Sequence, residues 1–129
     1  MPPHIVQPDE YVDPQDLVPL NGVDSEEFFR CLLRDMRRRG WHGRPLLATE
    51  SDGVWYAITG SHRIAAAREV GIRVPVVWWP GAWWAARCDS AVDLYLQTAR
   101  HTCPDPTYPD ERIWWLLRME GQEFIRNGG

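Results

Sequence analysis

Residues 54–71, Val54-Trp55-Tyr56-Ala57-Ile58-Thr59-Gly60-Ser61-His62-Arg63-Ile64-Ala65-Ala66-Ala67-Arg68-Glu69-Val70-Gly71, hold the change of pattern that decides the fold. Val54 to Thr59 is rich in β-branched and aromatic residues and reads as a strand. Gly60 lets the backbone turn closely at its end. Ile64 to Val70, with three alanines at 65–67 that allow tight packing, reads as a helix stopped by Gly71. A helix start behind a glycine turn offers free amides and the positive end of the helix dipole, which together favour an anion such as phosphate. Ser61 can cap this helix and donate to a phosphate oxygen. His62 can donate a ring N–H, and Arg63 can make a charge-assisted bidentate contact. Singly, these are an ordinary cap, a surface histidine and an ion-paired arginine. Three in succession at one helix start point to anion binding.

Working outward, Gly43-Arg44-Pro45-Leu46-Leu47-Ala48 reads as a strand joined to 54–59 through Ser51-Asp52-Gly53, a strong hairpin signal. Upstream, Asp24 and Glu27 have capping-box spacing. Phe28, Leu32, Leu33 and Met36 then recur at helical period until Gly40. Arg30, Arg34, Arg37, Arg38 and Arg39 fall on the other face; acids at its start and arginines at its end match the helix dipole. Tyr11-Val12 opens a short strand closed by Pro14, and Leu17 to Gly22 reads as a connection. Downstream, Val74 to Trp79 reads as a strand whose Pro75 suits an edge or a strand start. A helix is expected over 89–101, capped by Asp89 or Ser90, then a proline-rich loop to Pro109. A last helix runs from near Asp110 through Ile113, Leu116, Leu117 and Phe124, with Gly121 as its weak point. The expected architecture is a single α/β domain, a small mixed sheet with packed helices, over residues 1–129. Residues 1–10 form a flexible arm, 11–80 the core and 81–129 a helical extension.

Composition narrows the chemistry. The chain has 129 residues and a formal net charge of −4, and all 14 of its basic residues are arginines. Without lysine there is no Schiff-base chemistry and no P-loop lysine. The acidic balance argues against coating nucleic acid through bulk charge. Three cysteines, Cys31, Cys88 and Cys103, show no C-x-x-C spacing, so neither a disulfide framework nor a zinc site is expected, and a reducing cytoplasm fits. No leader pattern is read at the N-terminus, and the apolar stretch 70–88 is too interrupted to span a bilayer, so no membrane partner is expected. His42, His101 and His4 have no metal-site spacing.

The order of elements resembles the ParB/sulfiredoxin superfamily. The residues that carry the resemblance are Leu33 to Gly40, Arg44-Pro45-Leu46-Leu47, Gly53 to Thr59, Gly60-Ser61-His62-Arg63-Ile64-Ala65-Ala66-Ala67, and Gly71 to Val77. The resemblance covers residues 11–80. It implies an α/β fold that binds a nucleoside triphosphate, ATP or CTP, with Mg2+, the Gly-x-x-Arg turn and the first helix gripping the phosphates. Activities in the superfamily include CTP hydrolysis, ATP-dependent sulfinic acid reduction, serine phosphorylation and nuclease action. This chain departs from several of them. Ser61 stands where sulfiredoxins carry cysteine, and a hydroxyl cannot form the sulfur intermediates of that reduction. Partition proteins have Gly-Glu-Arg-Arg at the turn and continue into a helix-turn-helix, whereas the last helix here balances its arginines against Asp110, Glu111, Glu120 and Glu123. Serine kinases of this kind carry histidine and glutamate after the first strand's proline, where Leu20-Asn21 follow Pro19 here.

The expectation is therefore an NTP-dependent phosphotransferase or NTP hydrolase. Gly60, Ser61, His62 and Arg63 hold the phosphates, and Arg44 and Arg34 are further clamps, because phosphoryl transfer needs positioning and charge neutralisation. Asp35, Glu50 and Asp52 are candidate catalytic carboxylates for metal or nucleophile. The phosphate acceptor is a small hydroxyl compound or DNA. A DNA-associated accessory or nuclease module and a non-catalytic nucleotide sensor are the alternatives. Trp78, Trp79, Trp83 and Trp84 cluster around Pro80-Gly81. In an alternating strand one of each pair faces outward, leaving a base lid, a stacking surface or a homodimer or partner patch, unless Trp114-Trp115 cover it from within.

Overall fold

The computed structural model describes residues 6–19, 23, 25–80 and 110–126, with 121–126 described by their backbone alone. Five strands, β1 (Glu10–Val12), β2 (Leu17–Pro19), β3 (Leu46–Ser51), β4 (Val54–Ala57) and β5 (Val74–Trp78), form one sheet in the order β1-β5-β3-β4-β2. β3 and β4 are the expected hairpin, antiparallel across Asp52 and Gly53, whose φ values of 52° and 78° meet the demand of a tight two-residue turn. β5 runs parallel to β3, β2 parallel to β4, and β1 antiparallel to β5, so the sheet is mixed.

One segment differs from its sequence reading. Leu17–Pro19 is a strand and not a connection. It lies at the sheet edge, where the missing N–H of Pro19 costs little, and Leu17 is buried. Arg68 fastens this segment from outside by donating to the carbonyls of Pro14 and Leu17 at 3.1 and 2.6 Å. Pro75 belongs to a strand flanked by β1 and β3. Its ladder to β3 begins at Val76, which leaves the proline at a strand start and away from any edge.

The helices are α1 (Glu26–Arg39), α2 (Ser61–Val70) and α3 (Glu111–Arg126) among the described residues. Ser25 caps α1, its Oγ accepting from the amide of Phe28 at 3.2 Å. This replaces the expected capping box at Asp24, which lies outside the described residues. α3 runs straight through Gly121. The helix expected over 89–101 also lies outside the described residues.

Strand alternation sends side chains to both faces, and both faces are packed. Leu46, Ala48 and Val76 face Ile64, Ala66 and Met36 of the two earlier helices. Leu47, Val77 and Trp79 face Ile113, Leu116 and Leu117 of α3. Neither described tryptophan of the 78–84 cluster is therefore turned to an unoccupied face. Trp79 is buried in the α3 layer, with Trp115 packed against that layer. Trp78 meets Trp55 edge-on at 5.3 Å and donates its indole N–H to Glu10. Trp83 and Trp84 lie outside the described residues.

The segment expected to be a flexible arm is anchored from Val6 onward. Val6 is buried, and the Asp9 amide donates to the Val76 carbonyl at 2.8 Å. Asp9 accepts from the Trp78 amide with one carboxylate oxygen and from Arg112 with the other. Arg112 also donates to the Gln7 carbonyl and to Asp110, which accepts from the Arg112 amide at the start of α3. Hydrogen bonds from the Arg112 side chain outweigh burial and hold the Asp110 carboxyl below its ordinary pKa, while Asp110 and Asp9 raise that of Arg112.

Two stability predictions follow from these contacts. A Cβ on Gly60 would land on Leu46 Cδ2 in a backbone of φ +84°, whereas one on Gly71, at φ +81°, meets nothing within 4 Å. In urea denaturation Gly71→Ala is expected to cost about 1–2 kcal/mol and Gly60→Ala about 3 kcal/mol or more. The Asp110 contribution is present above the unfolded carboxyl value near 4 and is lost as pH falls through the lowered folded value. Asp110→Asn should therefore be less stable than the parent by about 1 kcal/mol at pH 7. That gap should close in denaturation series carried down below the unfolded carboxyl value near 4 and on through the lowered folded one.

Candidate functional site

Past β4 the chain is steered by Leu47. Its carbonyl accepts from the Ile58 amide at 2.8 Å, and its amide donates to the buried Thr59 hydroxyl at 3.1 Å. Gly60 follows in the left-handed conformation, φ 84° and ψ 34°, packed on Leu46. The helix begins at the next residue, and the Gly60 carbonyl accepts from the Ile64 amide at 2.9 Å. Gly60 itself is therefore the N-cap of α2. Ser61, expected to cap, is the first residue inside the helix, and the N-cap glycine has no side chain of its own to cap it.

A carboxylate has taken up part of this turn. Glu120 of α3 accepts with Oε1 from the Gly60 amide at 3.4 Å and with Oε2 from Arg44 at 2.9 Å. The Arg44 side chain is 11% exposed, so this pair is partly shielded from water. Arg44 is positioned by its place just before β3 and by Trp41, whose indole N–H donates to the Arg44 carbonyl at 3.1 Å. Two groups expected at the phosphate site, Gly60 and Arg44, thus converge on one anion.

One ring nitrogen of His62 is engaged as an acceptor. Its Nε2 accepts from the Ser25 amide at 3.2 Å, and its ring lies 5.1 Å from that of Phe28. That bond assigns the ring proton to Nδ1. His62 therefore ties the start of α2 to the start of α1. Arg63 sits half-buried in the first turn of α2.

The remaining candidates are not gathered at Gly60. Asp35 is paired with Arg39 one turn along α1, at 2.7 Å. Glu50 lies four residues and Asp52 six residues beyond Leu46, about 13 and 20 Å along the hairpin toward its turn. Arg34 is exposed on α1, in a shallow groove with Glu26, Glu27, Arg30 and Cys31. Among the described residues no three His, Cys, Asp or Glu side chains come together as a metal centre. The carboxylate that does reach the turn, Glu120, was read in the sequence only as one of the acids balancing the last helix. Its sole local distinction is a place beside Gly121.

His62→Phe keeps the ring contact with Phe28 and removes the acceptor of the Ser25 amide. It is expected to cost about 1 kcal/mol in chemical denaturation.

No protein-family model and no curated protein matches the sequence. Among solved structures, the chain is similar to sulfiredoxin from Arabidopsis thaliana at 18% identity, over 56% of this chain and 84% of that one, with a TM-score of 0.48. It is similar to the C-terminally truncated chromosome-partitioning protein ParB from Caulobacter crescentus, in complex with CTP-gamma-S. There the identity is 18%, over 91% of this chain and 76% of that one, and the TM-score is 0.51. No described helix is long and apolar enough to cross a membrane. With its mixed five-stranded sheet and packed helices, the chain has a ParB-like α/β fold.

Proposed function

We propose that the protein binds a nucleoside triphosphate, with the phosphates at the N-terminal end of α2, and acts on it as a phosphotransferase or hydrolase. The observation that carries this reading is the carboxylate already seated there, held by the Gly60 amide and by Arg44. Groups that hold a carboxylate at a helix start hold a phosphate oxygen by the same means, an aligned backbone N–H and a charge-assisted guanidinium bond. The N-cap of α2 is a glycine with no side chain of its own to cap the helix, so the acceptor at this end comes from another element, here Glu120. The CTP-gamma-S carried by the ParB neighbour is consistent with it.

In this reading the amides of residues 60–63 and the guanidinium groups of Arg44 and Arg63 neutralise and orient the triphosphate. His62 positions the turn from beneath by its bond to Ser25. Mg2+ takes few protein ligands and several phosphate and water oxygens, so it would arrive with the nucleotide and shield the transferring charge. The acceptor, water or a small hydroxyl compound, distinguishes hydrolase from transferase. The DNA-accessory alternative draws less support, because Arg30 and Arg39 of the α1 face are already paired with Glu26 and Asp35.

Thermal-shift and calorimetric titrations with ATP, CTP, GTP and ADP, with and without Mg2+, test the proposal. At least one triphosphate should raise the melting temperature. Arg63→Ala should weaken its binding by about tenfold or more, and Arg38→Ala should leave it unchanged. If no nucleotide shifts the transition, the reading is wrong. Turnover of labelled triphosphate, alone and then with DNA or small alcohols, separates enzyme from sensor.

A further inference from the structure

We infer that Glu120 is an internal anion that keeps the phosphate site closed, and that a polyphosphate binds by expelling it and loosening the C-terminal part of α3. The inference rests on the phosphate-site reading above and goes beyond it. Each Glu120 oxygen occupies a donor that a phosphate would need, the Gly60 amide on one side and Arg44 on the other. A carboxylate and a phosphate cannot share those donors, since two anions in one partly shielded site repel.

The rest of the helix shows where such a movement would stop. α3 is fixed at its start by the bonds of Arg112 to Gln7, Asp9 and Asp110. Ile113, Trp114, Leu116 and Leu117 are each at most 1% exposed, and Arg118 lies over the Trp114 ring at 4.7 Å. These contacts hold the first two turns in place. Glu120 then ties the helix to Arg44 and Gly60, and Gly121 follows it at once. Glycine is the weakest helix former apart from proline, so the helix is poised to give way just where the carboxylate lets go. Occupation of the donors by Glu120 lowers the apparent affinity for phosphate by the fraction of molecules that are open. By reciprocity, phosphate binding favours the released helix end.

The test uses the full chain, with CTP and inorganic tripolyphosphate as probes in calorimetry, on the parent, Glu120→Gln and Glu120→Ala. Melting curves establish that both variants fold. Removing the charge should tighten tripolyphosphate binding about tenfold, the worth of one charge-assisted contact. In the parent, tripolyphosphate should accelerate hydrogen exchange at the amides of residues 119–126, a readout that needs no variant. If both variants bind either probe no more tightly than the parent, or exchange over 119–126 does not rise, the inference is overturned while CTP binding keeps the nucleotide reading. If the variants gain tripolyphosphate affinity but no protein binds CTP, Glu120 is the closing anion of a phosphate site and the nucleotide reading falls. If none of the three binds either probe, both fall.

Discussion

The left-handed turn at Gly60, pressed against Leu46, is the constraint on which the rest of the molecule depends. At φ +84° with Leu46 Cδ2 where a Cβ would stand, the position admits glycine and nothing larger. The turn is held from behind by Leu47, which bonds Ile58 through its carbonyl and Thr59 through its amide. It aims α2 so that Ile64, Ala66 and Ala67 reach the sheet. It also presents the Gly60 amide, at the start of α2, to Glu120 of α3. One small residue thereby sets both a packing direction and a donor.

A second consequence comes from covering the sheet on both sides. Because α1 and α2 lie on one face and α3 on the other, adjacent residues such as Trp78 and Trp79 are both drawn into packing. The clasp of Arg112 on Gln7 and Asp9 fixes α3 against the segment that leads into β1, and this orientation carries Glu120 to Arg44 and Gly60. A polar knot at one end of a helix thus decides which carboxylate arrives near its middle.

Much of the fold was legible because its signals are local. The Asp52-Gly53 hairpin, the stops at Gly40 and Gly71 and the periodic face of α1 each follow from residues within a few positions of one another. Leu17–Pro19 was not legible as a strand, since three residues carry no period and the pairing comes from β4. The cap of α1 shifted by one residue for a related reason. Ser25 and Asp24 both suit the role, and the amide that approaches is that of Phe28. Of the groups that converge on Glu120, Gly60 and Arg44 could be picked out by residue type and spacing. Asp35 lies in an ion pair on α1, and Glu50 and Asp52 lie toward the turn of the hairpin, positions that residue type alone does not reveal.

By itself, then, the amino-acid sequence determined most of the elements, the free amides of a helix start behind a glycine turn, and the restriction of its cations to arginine. Those properties depend on backbone sterics, helix amides and residue chemistry, which act over a few residues. Only the tertiary structure decided that His62 bonds the start of α1, that both tryptophans at 78 and 79 are packed, and that Glu120 closes on Gly60 sixty residues away. Such contacts join segments distant in sequence. Their geometry is set by how α3 seats on the sheet, and no local pattern in the chain encodes it.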